Sequence, residues 1–221
     1  MFSRRTRVTK EFHKNFEHRY DKITAAANSW IFQDFINPTD SVLQFWCGGG
    51  YLLDSLVCGQ KFGVDANPKY RDHATSTFGF RVEPNLDEFS NLDVVITSHT
   101  LARLPNPAQA LSDMYRALKD NGVIVVLVPC EGYKNKYVEL NFEQHLYSWS
   151  PMDIGNLVHY TGFSILSVER ICHRIPPKGA LILKYGGDRL FHLMCRIYGR
   201  LRPSLTQIRV VALKMPPKKF A

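Results

Sequence analysis

Three consecutive glycines, Gly48 to Gly50, follow the apolar run Val42-Leu43-Gln44-Phe45-Trp46-Cys47, and a carboxylate, Asp65, closes the next run, Lys61 to Asp65. A backbone without Cβ atoms turns tightly and lies close against a ligand. A carboxylate accepts two hydrogen bonds at once, which suits the adjacent hydroxyls of a ribose. Together they imply a strand, a glycine turn, a helix and a second strand that hold the nucleoside part of a cofactor. Two histidines stand where a proton acceptor would be useful. His99 lies just past the apolar run Leu92 to Thr97, and His145 lies in a stretch rich in Tyr, Asn and Glu. Imidazole titrates near neutrality, so either suits removal of a proton from a hydroxyl as it attacks.

These residues need a scaffold, and the apolar pattern supplies one. Strand and helix signals alternate: Val42 to Trp46, helix Leu52 to Val57, Lys61 to Asp65, helix Tyr70 to Thr77, Phe80 to Glu83, and Leu92 to Thr97. Such alternation predicts a parallel sheet with helices on both faces. Asn106 and Pro107 open a helix with Leu111, Met114, Tyr115 and Leu118 at helical spacing, ended by Asp120-Asn121-Gly122. The β-branched run Val123 to Val128 reads as a central strand. Ser150-Pro151-Met152-Asp153 reads as a capping box, opening a helix that Gly162 closes. Strands Ile165 to Cys172 and Gln207 to Lys214 flank an insertion, 176–203, with a helical core at Leu190 to Tyr198. Residues 1–40 are expected to be a helical lead-in or lid, with Ala26, Trp30, Ile31 and Phe35 as its inner positions. The irregular stretch 129–150 is the expected acceptor loop.

The 221 residues, 45% hydrophobic, fit one domain spanning 1–221. No segment has the roughly 18 consecutive apolar residues of a membrane span, and the first residues lead into no signal-like apolar core. The expectation is a cytoplasmic protein. Five scattered cysteines without a CxxC pair argue against a disulfide framework and against zinc, and most read as small buried apolar residues. No acid and histidine spacing calls for a metal. The net charge of +8 is concentrated at the two ends and favours an anionic partner. Nucleic acid is not the expected partner, because no RNA-binding module is recognisable. Phe191 to Arg202 is both apolar and basic. A membrane-surface helix would look like this, but the expectation is that its Leu, Met and Ile face packs against the sheet edge.

The glycine turn, Asp65 and the seven-strand alternation resemble class I S-adenosylmethionine-dependent methyltransferases, over roughly Val42 to Lys214. The resemblance implies a Rossmann-like α/β fold, a seven-stranded, mostly parallel sheet whose last strand is antiparallel. It also implies S-adenosylmethionine as cofactor and S-adenosylhomocysteine as product. In that family an acid precedes glycines at alternate positions; here Gln44, Trp46, Gly48 and Gly50 occupy those places. Gln44 lacks the acid's charge, and the Trp46 ring either faces away or intrudes where glycine leaves room for the methionine part. The implied cofactor residues are Gln44, Trp46, Cys47, Gly48, Gly50, Asp65, Ala66 and Ser98. Asp93 to Pro107 matches the fourth strand and following turn, with Ala102 and Arg103 where Glu and His are common. Val128-Pro129-Cys130-Glu131, Glu143 to Pro151, Gly155-Asn156-Leu157, Thr161-Gly162-Phe163, Gly186 to Phe191 and Ile197 to Leu201 resemble a glycan and polysaccharide-associated subgroup. That implies O-methylation of a sugar hydroxyl, with His99 or His145 as base and Glu131, Tyr137, Tyr147 and Trp149 lining the acceptor site. A lipid, quinone or other metabolite as acceptor, a lipid-linked substrate at a membrane surface, and a catalytically inactive relative are the rival readings.

Overall fold

The computed structural model describes residues 22–131, 145–201 and 205–216. Seven strands form its centre: β1 (Ser41–Phe45), β2 (Gln60–Val64), β3 (Arg81–Glu83), β4 (Leu92–Ser98), β5 (Leu118–Glu131), β6 (Phe163–Ile171) and β7 (Leu205–Lys214). They lie in the order β3-β2-β1-β4-β5-β7-β6. Strands β1 to β5 pair in parallel, and β7 runs antiparallel to both β5 and β6. The helices are α1 (Lys22–Gln33), α2 (Tyr51–Asp54), α3 (Pro68–Phe78), α4 (Pro107–Ala117), α5 (Pro151–Tyr160) and α6 (Gly179–Leu201), with single 3-10 turns at Leu86–Glu88 and Leu101–Arg103.

Successive side chains of a strand point to opposite faces, and this period of two divides the core. Leu43, Phe45, Val95, Ile124, Val126 and Val210 meet α4 and α5 on one face. Val42, Val94, Ile96, Val125, Leu127 and Val211 meet α1 and α2 on the other, where Ile31, Phe32, Leu52, Leu53 and Leu56 are buried. A small third cluster, Ala27, Phe191 and Cys195, joins α1 to α6. Both faces of the sheet are covered, as the alternation implies.

Three local expectations need correction. Helix α4 ends at Ala117, before Asp120-Asn121-Gly122, because Leu118 is buried and already pairs with Leu92 in the sheet. The strand then shifts register around Asn121, at φ 60, and pairs again at Val123 with Val94. Helix α2 is a single turn rather than Leu52 to Val57; the Ser55 hydroxyl caps the Leu52 carbonyl at 2.7 Å, and Gly59 N–H already bonds Asp40. The insertion holds a helix much longer than Leu190 to Tyr198, broken at Gly187 by a left-handed φ of 70. Two adjacent glycines inside a helical pattern argue against helix; here they mark a bend. The caps at Asn106 and at Ser150 with Asp153 are as expected.

Candidate functional site

The strand order reverses between β1 and β4, and in open α/β sheets a ligand crevice forms beyond the carboxyl ends of the strands at that point. Leaving β1, the chain turns through Trp46 at φ 57, Gly48 at φ 55 and Gly50 at φ 85. A Cβ on Gly50 would lie 2.7 Å from Phe80 Cζ, so this glycine is required by close packing. A Cβ on Gly48 would meet nothing within 4 Å, so the backbone there borders open space. Gly63 is also required, since a Cβ would lie 2.7 Å from Cys47 Sγ. Burial, with Asp65 nearby, pushes the Cys47 thiol to about 12, so it is inert packing rather than a nucleophile.

Asp65 follows β2 and is buried. Its Oδ2 accepts from Gly48 N–H and its Oδ1 from Asn67 N–H, both at 2.9 Å. Each ionised oxygen has two acceptor sites, so each retains one beyond the bonds found among the described residues. Burial pushes its pKa up, while the N–H groups of Asn67 and Gly48 and the charge of Arg71 pull it back. Arg71 donates to the carbonyls of Asp65 and Ala66 at 2.9 and 3.0 Å, holding the turn in place. Gln44 is 1% exposed, and its Oε1 has no hydrogen-bond partner among the described residues. Trp46 is 39% exposed, its ring 6.4 Å from that of Phe45.

Past β4, Ser98 is half-buried and His99 adopts φ 58, its N–H bonded to Leu127 O at 2.7 Å. His99 Nε2 lies 3.3 Å from Gln207 Oε1 on β7. With that oxygen as acceptor, neutral His99 carries its proton on Nε2 and its basic lone pair on Nδ1. The stretch from half-buried His145 to Trp149 docks on the turn that follows His99. Leu146 and Tyr147 N–H both bond Ala102 O, at 2.7 and 3.3 Å, and Tyr147 Oη donates to Pro105 O at 2.9 Å. The Tyr147 and Trp149 rings lie 5.5 Å apart, with Trp149 buried in the core. Glu131 ends β5, and Tyr137 lies outside the described residues.

Gln44, Trp46, Cys47, Gly48, Gly50, Asp65 and Ala66 thus gather at the ends of β1 and β2, with Ser98 and His99 at the end of β4 beside β1. Arg71 and Gln207 were missed in the sequence. Arg71 sits within one helical turn of a capped start, a usable signal, whereas Gln207 lies 108 residues from its partner and gives none.

The architecture defines a doubly wound α/β protein, the fold of S-adenosylmethionine-dependent methyltransferases. The chain belongs to the methyltransferase domain family, which matches residues 8–168. No curated protein matches the sequence. Solved structures share the fold at low identity. The complex of the Haloferax volcanii Trm112 methyltransferase activator with a methyltransferase matches at 17% identity and TM-score 0.62, over 92% of this chain and 95% of that one. A TehB-like S-adenosylmethionine-dependent methyltransferase from Corynebacterium glutamicum matches at 15% and 0.57, over 91% and 97%. Geranyl diphosphate C-methyltransferase from Streptomyces coelicolor, crystallised with S-adenosyl-L-homocysteine, matches at 14% and 0.62, over 86% and 76%.

Proposed function

We propose that this methyltransferase transfers a methyl group to a sugar hydroxyl of a glycan or nucleotide-sugar precursor. The observation that carries the cofactor reading is Asp65 beside Gly48: a buried carboxylate with an acceptor site left on each oxygen, next to a glycine bordering open space. Asp65 would take the ribose hydroxyls, and Gly48 would let the backbone pass close to the cofactor; Gly50, packed against Phe80, and Gln44, enclosed in the sheet, shape the turn from behind. S-adenosylmethionine, when bound, supplies an electrophilic methyl on a sulfonium. A sugar hydroxyl is a poor nucleophile, so a positioned base assists by taking its proton during attack. His99, oriented by Gln207, fits that role, and His145 is the second candidate. Acceptor placement would fall to Tyr147, with Glu131 and Tyr137 as further candidates; Trp149 is core packing rather than an acceptor contact. The sugar reading draws on the sequence resemblance.

Calorimetry with S-adenosylmethionine and S-adenosylhomocysteine on the wild type and Asp65→Ala tests the cofactor site. Micromolar binding lost in the variant supports it, and absence of binding to the wild type sinks the enzyme reading. A screen of nucleotide sugars and their deoxy analogues then tests the acceptor: methylation abolished by one missing hydroxyl supports sugar O-methylation. Turnover only on isoprenoid or quinone acceptors would replace it. Trp46 favours one rival specifically, a catalytically silent relative, because a half-exposed indole stands where this fold usually has glycine.

A further inference from the structure

Helix α6 has two apolar faces, and packing uses one of them. Phe191, Cys195 and Gly199, four residues apart, are buried. A Cβ on Gly199 would lie 2.7 Å from the Cys172 carbonyl, so helix and chain meet backbone to backbone. Leu190, Leu193, Ile197 and Leu201 form the other row, 46, 53, 44 and 73% exposed. At about 100° per residue the second row lies roughly opposite the first. This reverses the sequence expectation: the Leu and Ile face is turned to solvent. Six of the fourteen exposed large apolar side chains among the described residues belong to this helix, Leu181 and Tyr185 being the other two.

The charges beside this row are nearly all of one sign. Arg189, Arg196 and Arg200 are exposed and fall on one flank of it, Lys184 lies before the bend, and Asp188 is the helix's single acid. Arg196 spreads over the Trp30 ring at 5.3 Å, which fixes this flank relative to α1. An aliphatic row beside a basic row is the pattern of a helix lying in a lipid interface. No helix among the described residues is long and apolar enough to cross a membrane.

We propose that α6 seats the protein on an anionic phospholipid surface, with the Leu and Ile row in the acyl boundary and the arginines at headgroup phosphates. The insertion leaves the sheet after Ile171 and returns at Leu205, which pairs with Glu131 at the carboxyl end of β5. That is the edge where His99 meets Gln207. A lipid-anchored glycan would therefore reach the reaction edge from the surface the helix rests on, a consequence that rests on the acceptor reading while the docking itself does not.

Flotation with phosphatidylcholine vesicles, alone or mixed with phosphatidylglycerol, tests the docking at low ionic strength. The wild type is expected to float with the mixed vesicles and not with phosphatidylcholine alone. Leu193→Glu with Ile197→Glu should lower the partition at least tenfold, and Arg189→Gln with Arg200→Gln by roughly fivefold per arginine. Both pairs are solvent-facing, so thermal melting and S-adenosylhomocysteine binding should match the wild type; this separates loss of docking from loss of the cofactor site. No flotation with anionic vesicles, or flotation untouched by the Leu193 and Ile197 changes, overturns the proposal. So does a dimer in solution that these changes dissociate, since the row would then be closed by a second copy.

Discussion

Both oxygens of Asp65 hold backbone N–H groups of the turns around them, and the proposed cofactor site uses the acceptor position left on each. Replacing Asp65 with alanine should weaken S-adenosylhomocysteine binding by about 100-fold or more, since two charge-assisted bonds of roughly 1.5 to 3 kcal/mol each are lost. Burial raises its pKa, and binding needs the carboxylate, so affinity should fall on acidification and begin to fall above the pH at which an ordinary aspartate is half protonated. Titrating affinity against pH checks this. His99→Ala should lower kcat by about 100-fold or more while leaving cofactor affinity unchanged; an equal loss in both would make His99 a packing residue. Trp46→Gly trades about 1 kcal/mol or more of left-handed strain against a similar gain in unfolded-chain freedom. Stability should therefore stay within about 1 kcal/mol. Cofactor affinity should change less than threefold, and a rise above tenfold would show that the indole obstructs the crevice. At this scale the meeting of Asp65 and Gly48 was legible because each follows the end of one of two adjacent strands. The role of Gln207 was not, because it exists only once β7 is laid beside β5.

At the scale of elements, the contrast between α5 and α6 shows what local sequence can specify. The Ser150 and Asp153 side chains cap the backbone within one turn, so the start of α5 is written in four residues. Which face of α6 is buried depends on α1 and the end of β6, and no local pattern separates its two apolar rows. Just past β6, His173 also meets α6; it is buried 3.3 Å from His192 and 5.1 Å, ring to ring, from Trp30. Burial, then the charges of His192 and Arg196, push His173 down to about 4; His192 is also lowered, chiefly by burial and despite Asp188. The native state thus holds these rings neutral, whereas an unfolded histidine titrates near 6.5. The stability from His173 is fully present above about 6.5 and is lost as pH falls toward about 4. Between pH 7 and 5 the loss should be about 2 kcal/mol, read as a shift in urea midpoint. His173→Phe should flatten that slope, and an unchanged slope would place its origin elsewhere.

The whole molecule was legible where one rule repeats. Alternating elements fixed the parallel β1 to β5 sheet, and the antiparallel sense of β7 followed from the family resemblance, whereas its place between β5 and β6 did not. What repetition could not specify is how the amino-terminal segment joins the rest, since lid and wall have the same amphipathic pattern. The structure makes α1 a wall. Ile31 and Phe32 are fully buried against the sheet. Arg209, itself buried in β7, donates to Ile31 O at 3.1 Å and to Glu169 Oε2 at 2.6 Å, and its guanidinium lies 4.8 Å from the Phe35 ring centre. Opening α1 would expose Phe32 and strip a buried guanidinium of an acceptor, so it should unfold with the sheet rather than ahead of it. Phe32→Ala is accordingly expected to cost about 3 to 5 kcal/mol of global stability, with one cooperative transition seen by both circular dichroism and tryptophan fluorescence. A cost below about 1 kcal/mol, with loss of protection confined to 22–33 in hydrogen exchange, would instead make α1 a detachable cover.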